Sequence, residues 1–570
     1  MAARTSFVRW REPLLAILLA GVLSLGWVLR DWGDLSRLHL PDTDDAMRLQ
    51  QIRDWLGGQA FADLAQHRLG APPGLEMHWS RLPDLVPGAI IAALTPVIGE
   101  HAATLAALIA WPAMLFAGAL TLTGEVARRL GAPAFTAILV AGLAYPATSV
   151  FLPGRIDHHG LQLLLVLVLL RALIGTGRFR DGAVASLAIA ASLVIGLETA
   201  PLLAVGGAAV VLLWVFERPG AQARLFGLGI ALPLALSGVA VVFRTSGWAY
   251  PSCDGFTGKL WRVVEPASFA PLALALFGMA GRFTRRSRFV AAGLAACGVV
   301  VLAILLGADC LDPYGAVDPV LARAWLARVG EAQPLFGAPP ANALAYGGLA
   351  AVGLGVTAAI AWRRREEGWW IVVAFLIAAF AVTLMQLRGA YAGALLAAPG
   401  LSVLIGAARL RGALALAGAW ILSTGILYPI AAERLFPARG APGANCTGPE
   451  GLARLAALPP GRLIAPVDLG AYAIAGTSHR VVAAPYHRNN RGNRAMYDFF
   501  MGNPAASEAI ARSWGVDYVA FCRGDLDRFV DGGAGAQSLA AQLRAGAVPA
   551  WLAPVDAGDA PRLYRLVSRD

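Results

Sequence analysis

The sequence predicts a polytopic α-helical membrane protein with about thirteen spans, closed by a small C-terminal α/β domain. Two observations predict it. The 570 residues are 57% hydrophobic and 15% charged with a mean hydropathy of +0.61, more apolar surface than a water-soluble core accommodates, so lipid is the solvent. The apolar residues also fall into separate runs of roughly 17 to 22 residues, each long enough to cross a bilayer.

The first run, Pro13 to Leu29, follows Arg4, Arg9 and Arg11 with no small-residue cleavage site after it, and reads as a retained span rather than a signal peptide. Further runs centre near residues 112, 141, 168, 190, 208, 234, 275, 298, 352, 379, 399 and 421. Val86 to Ile98 is too short to span and is interrupted by Pro and Gly, which suits an interfacial helix.

Arginines punctuate alternate loops: Arg128 and Arg129, Arg178 and Arg180, Arg218 and Arg224, the group from Arg282 to Arg288, Arg363 to Arg365, and Arg409 with Arg411. All lie on the side of the N-terminus, which the positive-inside rule makes cytoplasmic. The net charge of +11 is therefore topology, and with no basic patch interleaved with aromatics it argues against nucleic acid. An odd number of spans leaves residues 433–570 outside, beyond a membrane domain of residues 1–432 whose long external loops are 32–100 and 307–342. Alternating patterns and the turns at Pro459-Pro460-Gly461 and Gly532-Gly533 give that tail its α/β reading. All eight histidines then fall on or near the external face. So do Cys253, Cys310, Cys446 and Cys522, expected to pair as Cys253–Cys310 and Cys446–Cys522 in an oxidising compartment. Cys297 lies within a span and is expected to be a packing residue.

Four external segments carry the chemistry. The first loop reads PDTDDAMRLQQIRDWL, with Asp42, Asp44 and Asp45 ahead of an amphipathic helix, as helix caps or as ligands. The second reads FLPGRIDHHGLQ, where Asp157 and His159 form an Asp-x-His pair able to hold one divalent ion or, more plainly, to cap a helix. ARVGEAQPLFG presents Glu331, and LMQLRGAYAG ends an apolar run on Arg388, a snorkelling cation or a phosphate ligand. Glu198 in IGLETAP reads as lying inside a span, near its outer end.

The order and side of these segments resemble the catalytic subunit of oligosaccharyltransferase, of the glycosyltransferase C superfamily, over nearly the whole chain. In that family an Asp precedes a helix with an Arg further on, which Asp44 and Arg53 match. An Asp-x-Glu or Asp-x-Asp follows a Gly, which GRIDHHG matches with His159 in the last place. RVGEAQP is similar to the family's Ser-Val-Ser-Glu and Gln-Pro motif. Arg388 corresponds to the Arg that faces the lipid-linked pyrophosphate. APVDLGAYAIAG is similar to the segment built on Trp-Trp-Asp-Tyr-Gly, with Asp468 and Gly470 kept and Pro466 and Val467 in place of both tryptophans. WGVDYVAFC, with Asp517 and Tyr518, resembles the strand that follows it.

The resemblance implies transfer of a sugar or oligosaccharide from a polyprenyl-(pyro)phosphate donor to an extracytoplasmic lipid, glycan or protein acceptor. It implies a divalent cation, Mn2+ or Mg2+, on Asp44, Asp157, His159 and Glu331, with Asp44 and Glu331 catalytic. Arg388 and Arg53 are expected at the donor, and Asp468, His487 and Arg488 at the acceptor. The missing tryptophans argue against Asn-x-Ser/Thr selectivity, and His479, Arg480, His487, Arg488, Arg491 and Arg494 suggest an anionic acceptor. The expected place is the inner membrane, with the C-terminal domain periplasmic. A polysaccharide polymerase or lipid-modifying transferase of the same superfamily remains an alternative. A transporter or flippase is the other, although no internal repeat or midplane charge pattern supports it.

Overall fold

A computed structural model describes residues 2–312, 314–437, 445–524, 526 and 535–568. Among them eight helical stretches are long and apolar enough to cross a bilayer: Arg11–Arg30, Glu100–Arg129, Ala221–Val242, Gly258–Ala280, Arg285–Gly307, Pro340–Arg364, Glu367–Met385 and Gly389–Arg409. Ala413–Ser423 and Leu427–Leu435 form a further pair bent by 82°. The remaining expected centres, near 141, 168, 190 and 208, fall on the shorter helices Ala134–Gly142, His159–Leu173, Phe179–Ile195 and Ala200–Val215.

These helices are short for a physical reason. They pack among the long ones, with Ala137, Ile138, Val166, Leu170, Ala185 and Trp214 fully or almost fully buried, and the breaks at 146–151 and 194–196 are largely enclosed by protein, the setting in which non-helical backbone at membrane depth is tolerated. Arg285–Gly307 is the opposite case. No residue of its apolar stretch is buried, although Ala291, Ala292 and Ala295 pack against the core, and Cys297 on it is exposed rather than packed.

The C-terminal unit holds a five-stranded sheet in the order Arg480–Val481, Arg462–Ile464, Tyr518–Phe521, Arg562–Leu566, Leu552–Pro554. The first three strands are parallel and the last two antiparallel. Its two cores reach into the membrane domain's loops: Val317, Leu321 and Trp325 join Phe499, Phe500 and Phe521 on one face, and Met47, Leu69, Met77 and Trp79 join Leu463, Leu469 and Tyr486 on the other. Backbone bonds between Arg68 or Gly70 and Val481, with Arg68 donating to the Thr477 and Ile474 carbonyls at 2.6 Å each, fasten the first loop to the sheet edge. Cys253 is bonded to Cys310 and Cys446 to Cys522.

Candidate active site

The site is built from the start of the Thr43–Leu56 helix. Asp42 is its N-cap and accepts the Asp44 N–H at 3.0 Å, so the capping role falls on Asp42 and the Asp44 side chain lines the cavity. Asp45, fully buried, does something sequence spacing did not suggest. Its Oδ1 accepts the backbone N–H of Ile156 and of Asp157, both at 2.8 Å, pinning the second loop to the first.

Arg155 completes the junction. Its guanidinium lies 2.9 Å from Asp42, 3.3 Å from Asp45 and 2.5 Å from Asp157. Asp157 also accepts the His159 backbone N–H at 3.1 Å, which is a cap, while its other oxygen meets His159 Nδ1 at 3.0 Å.

Glu331 and Arg388 arrive together because their chains are joined. Arg388 N–H donates to the Glu331 carbonyl and Leu387 N–H to that of Gln333. The side chains then meet: Arg388 Nη2 is 3.3 Å from Glu331 Oε1, and Tyr391 donates its hydroxyl to Glu331 at 3.2 Å. His159 Nε2, buried and without a hydrogen bond, is 3.8 Å from Glu331.

Glu198 belongs to this site. It sits in the break between Phe179–Ile195 and Ala200–Val215, not within a span as the sequence suggested, because the chain leaves the helix at Gly196. Its carboxylate meets His158 Nε2 at 2.9 Å and Arg388 at 3.2 Å. An acid in an otherwise apolar stretch was the available signal. His158, His159 and Glu198 bring ligand atoms within 4.8 Å of one another, the tightest such group among the described residues.

Asp44, Asp157, His159, Glu331 and Asp468 line one cavity of about 760 Å³ between the membrane domain and the C-terminal unit. Asp468 enters from the Val467–Gly476 helix, which lies close on residues 483 and 484 because Gly470 has no Cβ to strike the Ala483 carbonyl. Pro466 and Val467 line the same cavity. Burial, with the charges of Asp42, Glu331 and Asp157 added, pushes the Asp44 carboxyl up to about 8. Asp157 moves the other way: burial would raise it, and Arg155 and His159 hold it well below the usual carboxylate range. Two neighbouring acids thus differ in their hold on a proton, as in sites that move protons.

Arg388 touches Glu331 but lines a separate small cavity with His159 and Glu198, and three further expected site residues stand elsewhere. Arg53 donates to the Ala475 carbonyl at 3.4 Å and lines none of this cavity. His487 and Arg488 are taken up by Asp254, at 2.6 and 2.7 Å, with Arg488 stacked 3.8 Å over Tyr250. They tie the C-terminal unit to a membrane-domain loop instead of facing an acceptor. The expected cationic cluster is likewise dispersed, since His479 is buried against the Leu455 carbonyl, Arg491 covers Trp514, and Arg494 pairs with Asp318 and Asp498. A charge count cannot see partners so distant in sequence.

No family model and no curated protein matches the chain. Its fold is that of an oligosaccharyltransferase. Archaeal oligosaccharyltransferase AglB from Archaeoglobus fulgidus, in complex with an inhibitory peptide and a dolichol-phosphate, aligns over 90% of this chain and 69% of its own with TM-score 0.64 and 15% identity. The A. fulgidus enzyme complexed with Zn and sulfate aligns over 89% and 67% with TM-score 0.59 and 15% identity. The form tethered by a disulfide to an acceptor peptide containing the NVT sequon aligns over 90% and 69% with TM-score 0.61 and 16% identity.

Proposed function

We propose that the chain is a membrane glycosyltransferase that moves a sugar or oligosaccharide from a polyprenyl-(pyro)phosphate donor to an acceptor outside the cytoplasm, without Asn-x-Ser/Thr selectivity. The supporting observation is the convergence of Asp44, Asp157, His159 and Glu331 on one cavity that the C-terminal unit closes through Asp468. The A. fulgidus enzyme of the same fold is seen with a dolichol-phosphate and with an acceptor peptide, which supports a lipid-linked donor and an acceptor on this chain too.

The donor set offers the chemistry a divalent cation needs, and the three donors already drawn together are His158, His159 and Glu198. His159 Nε2 is a buried imidazole nitrogen without a hydrogen bond, beside carboxylates among which Asp44 is raised by burial first and by its acidic neighbours second. Carboxylate and imidazole together suit Mn2+ or Mg2+. Asp44, Asp157, His159 and Glu331 would hold it, and when bound it supplies positive charge to a leaving phosphate.

The chain's own groups do the rest. Arg388 donates to phosphate oxygens of the donor, held in place by Glu198 and Glu331. Asp44 takes the proton from the attacking group. Arg155 holds Asp157 in place at the cavity wall. Asp468 contacts the acceptor from the far wall. Arginines on the N-terminal side support a cytoplasmic N-terminus and a periplasmic C-terminal unit in the inner membrane.

The test is a transfer assay with the purified full chain and lipid-linked saccharide extracted from the source membranes. Saccharide leaving its lipid and appearing on an acceptor is the expected result. A donor pool that stays intact with protein, peptide, lipid and glycan acceptors alike refutes the reading.

A further inference from the structure

At the opposite end of the His159–Leu173 helix from the candidate active site lies a second, unrelated constellation. The helix starts at His159 and carries Arg171 in its last turn, about 18 Å further along at the helical rise. There Glu12 and Pro13 of the Ala2–Arg30 helix, the ends of Glu100–Arg129 and His159–Leu173 and the start of Phe179–Ile195 enclose a cavity of about 630 Å³.

Four arginines line it, Arg128, Arg129, Arg171 and Arg180, against two carboxylates, Glu12 and Glu125. Glu125 is shared by three guanidiniums: Arg129 at 2.8 Å, Arg171 at 3.1 Å and Arg128 at 4.0 Å. Glu12 takes only Arg128, at 2.7 Å. Arg180 is exposed and makes no ion pair among the described residues. The cavity therefore keeps two uncompensated positive charges. A smaller cavity of about 310 Å³ shares Arg129, Arg171, Thr176 and Arg180 with it and adds Asp181, whose carboxylate is taken up by the Arg178 backbone N–H.

We infer that this cavity binds the phosphodiester headgroup of an anionic phospholipid. A surplus of guanidiniums in a concave site matches phosphate oxygens in charge and geometry, and basic pockets between spanning helices at the membrane boundary suit such headgroups. The apolar surroundings favour a lipid over a free anion. Leu14, Ile17 and Leu18, which follow Glu12 and Pro13 up the first helix, are 54%, 56% and 65% exposed, as is Leu187 on the fourth wall at 61%. Acyl chains have a surface to lie on directly beyond the charged mouth. The bound lipid bridges the first helix to the helix that bears His159.

The experiment uses the full chain, purified and delipidated in mild detergent and titrated with phosphatidylglycerol or phosphatidylcholine while bound lipid is counted by native mass spectrometry. Wild type is expected to prefer phosphatidylglycerol by on the order of tenfold. Arg128→Gln/Arg180→Gln, and Arg180→Gln alone, which disturbs no ion pair, lose most of that preference. Arg285→Gln/Arg286→Gln, on another basic loop end, keeps it. Equal binding of the two lipids by wild type, or a preference that survives in both cavity variants, overturns the assignment. So does full displacement of the lipid by millimolar inorganic phosphate, which would make this a site for the free anion.

Discussion

Arg488 closes a two-point ion pair on Asp254, with Nε to Oδ2 and Nη2 to Oδ1 both at 2.7 Å, and the side chains are only 3% and 2% exposed. Removing one partner strands the other charge in a dry place. Asp254→Asn is therefore expected to loosen the C-terminal unit from the membrane domain by about 3 kcal/mol. Burial would raise the Asp254 carboxyl, but Arg488 and His487 hold it far below its usual range. A depressed folded-state value means that the contribution is fully present above the unfolded value of about 3.9 and disappears only as pH falls further toward the folded one. Hydrogen exchange of residues 480–500 should show the interface intact at pH 4 and opening only in stronger acid. Protection unchanged in Asp254→Asn would remove the docking role.

Arg155 faces three carboxylates, and its removal leaves Asp42, Asp45 and Asp157 without their shared counterion. Arg155→Leu is expected to lower kcat on the order of a hundredfold with little change in donor KM, since the residue orients Asp157 without touching the donor. Arg155→Lys keeps the charge but not the fork and should fall between the two. A KM effect with unchanged kcat would instead make Arg155 a donor ligand.

Much of this was legible in the sequence where a single segment held the information. Spans show as apolar runs because lipid rewards each run independently, and Asp157 with His159 stood out because a carboxylate and an imidazole are two residues apart. The links between segments were hidden. Nothing local marks Asp45 as the acceptor for the backbone at 156 and 157, and Arg155 sat unremarked inside the same loop. Arg488 looked like an anion binder because its partner Asp254 lies 234 residues earlier. Glu198 looked like an isolated acid in a span because its apolar flanks hide the helix break that turns it to His158 and Arg388.

Asp44→Ala and Asp157→Ala should each reduce transfer on the order of a thousandfold, the scale of a lost charge-stabilising centre. Asp44 makes no ion pair among the described residues, so membrane insertion and melting temperature of Asp44→Ala are expected to stay near wild type, whereas Asp157→Ala also strands Arg155 and His159 and is expected to insert but melt lower. Chelation should silence the wild-type enzyme, with Mn2+ or Mg2+ restoring it. Full activity after exhaustive chelation, or in both variants, would remove the cation from this reading.

The acceptor question turns on Pro466 and Val467, which line the cavity beside Asp468. Discriminating an Asn-x-Thr acceptor from its Ala counterpart requires a site that hydrogen-bonds or closely walls the hydroxyl, because only an unpaired polar group penalises its absence. A pyrrolidine ring and an isopropyl group offer no side-chain donor or acceptor at those positions. Arg488 and His487 cannot supply one, being held by Asp254. Two peptides that differ only by Thr→Ala two residues after Asn, offered with the native donor, should therefore react within a few-fold of each other in kcat/KM. A lipid or glycan acceptor that outcompetes both would be in keeping with the same wall. A preference of a hundredfold or more for the Thr peptide would show that another part of the cavity grips the hydroxyl, and would restore sequon selectivity.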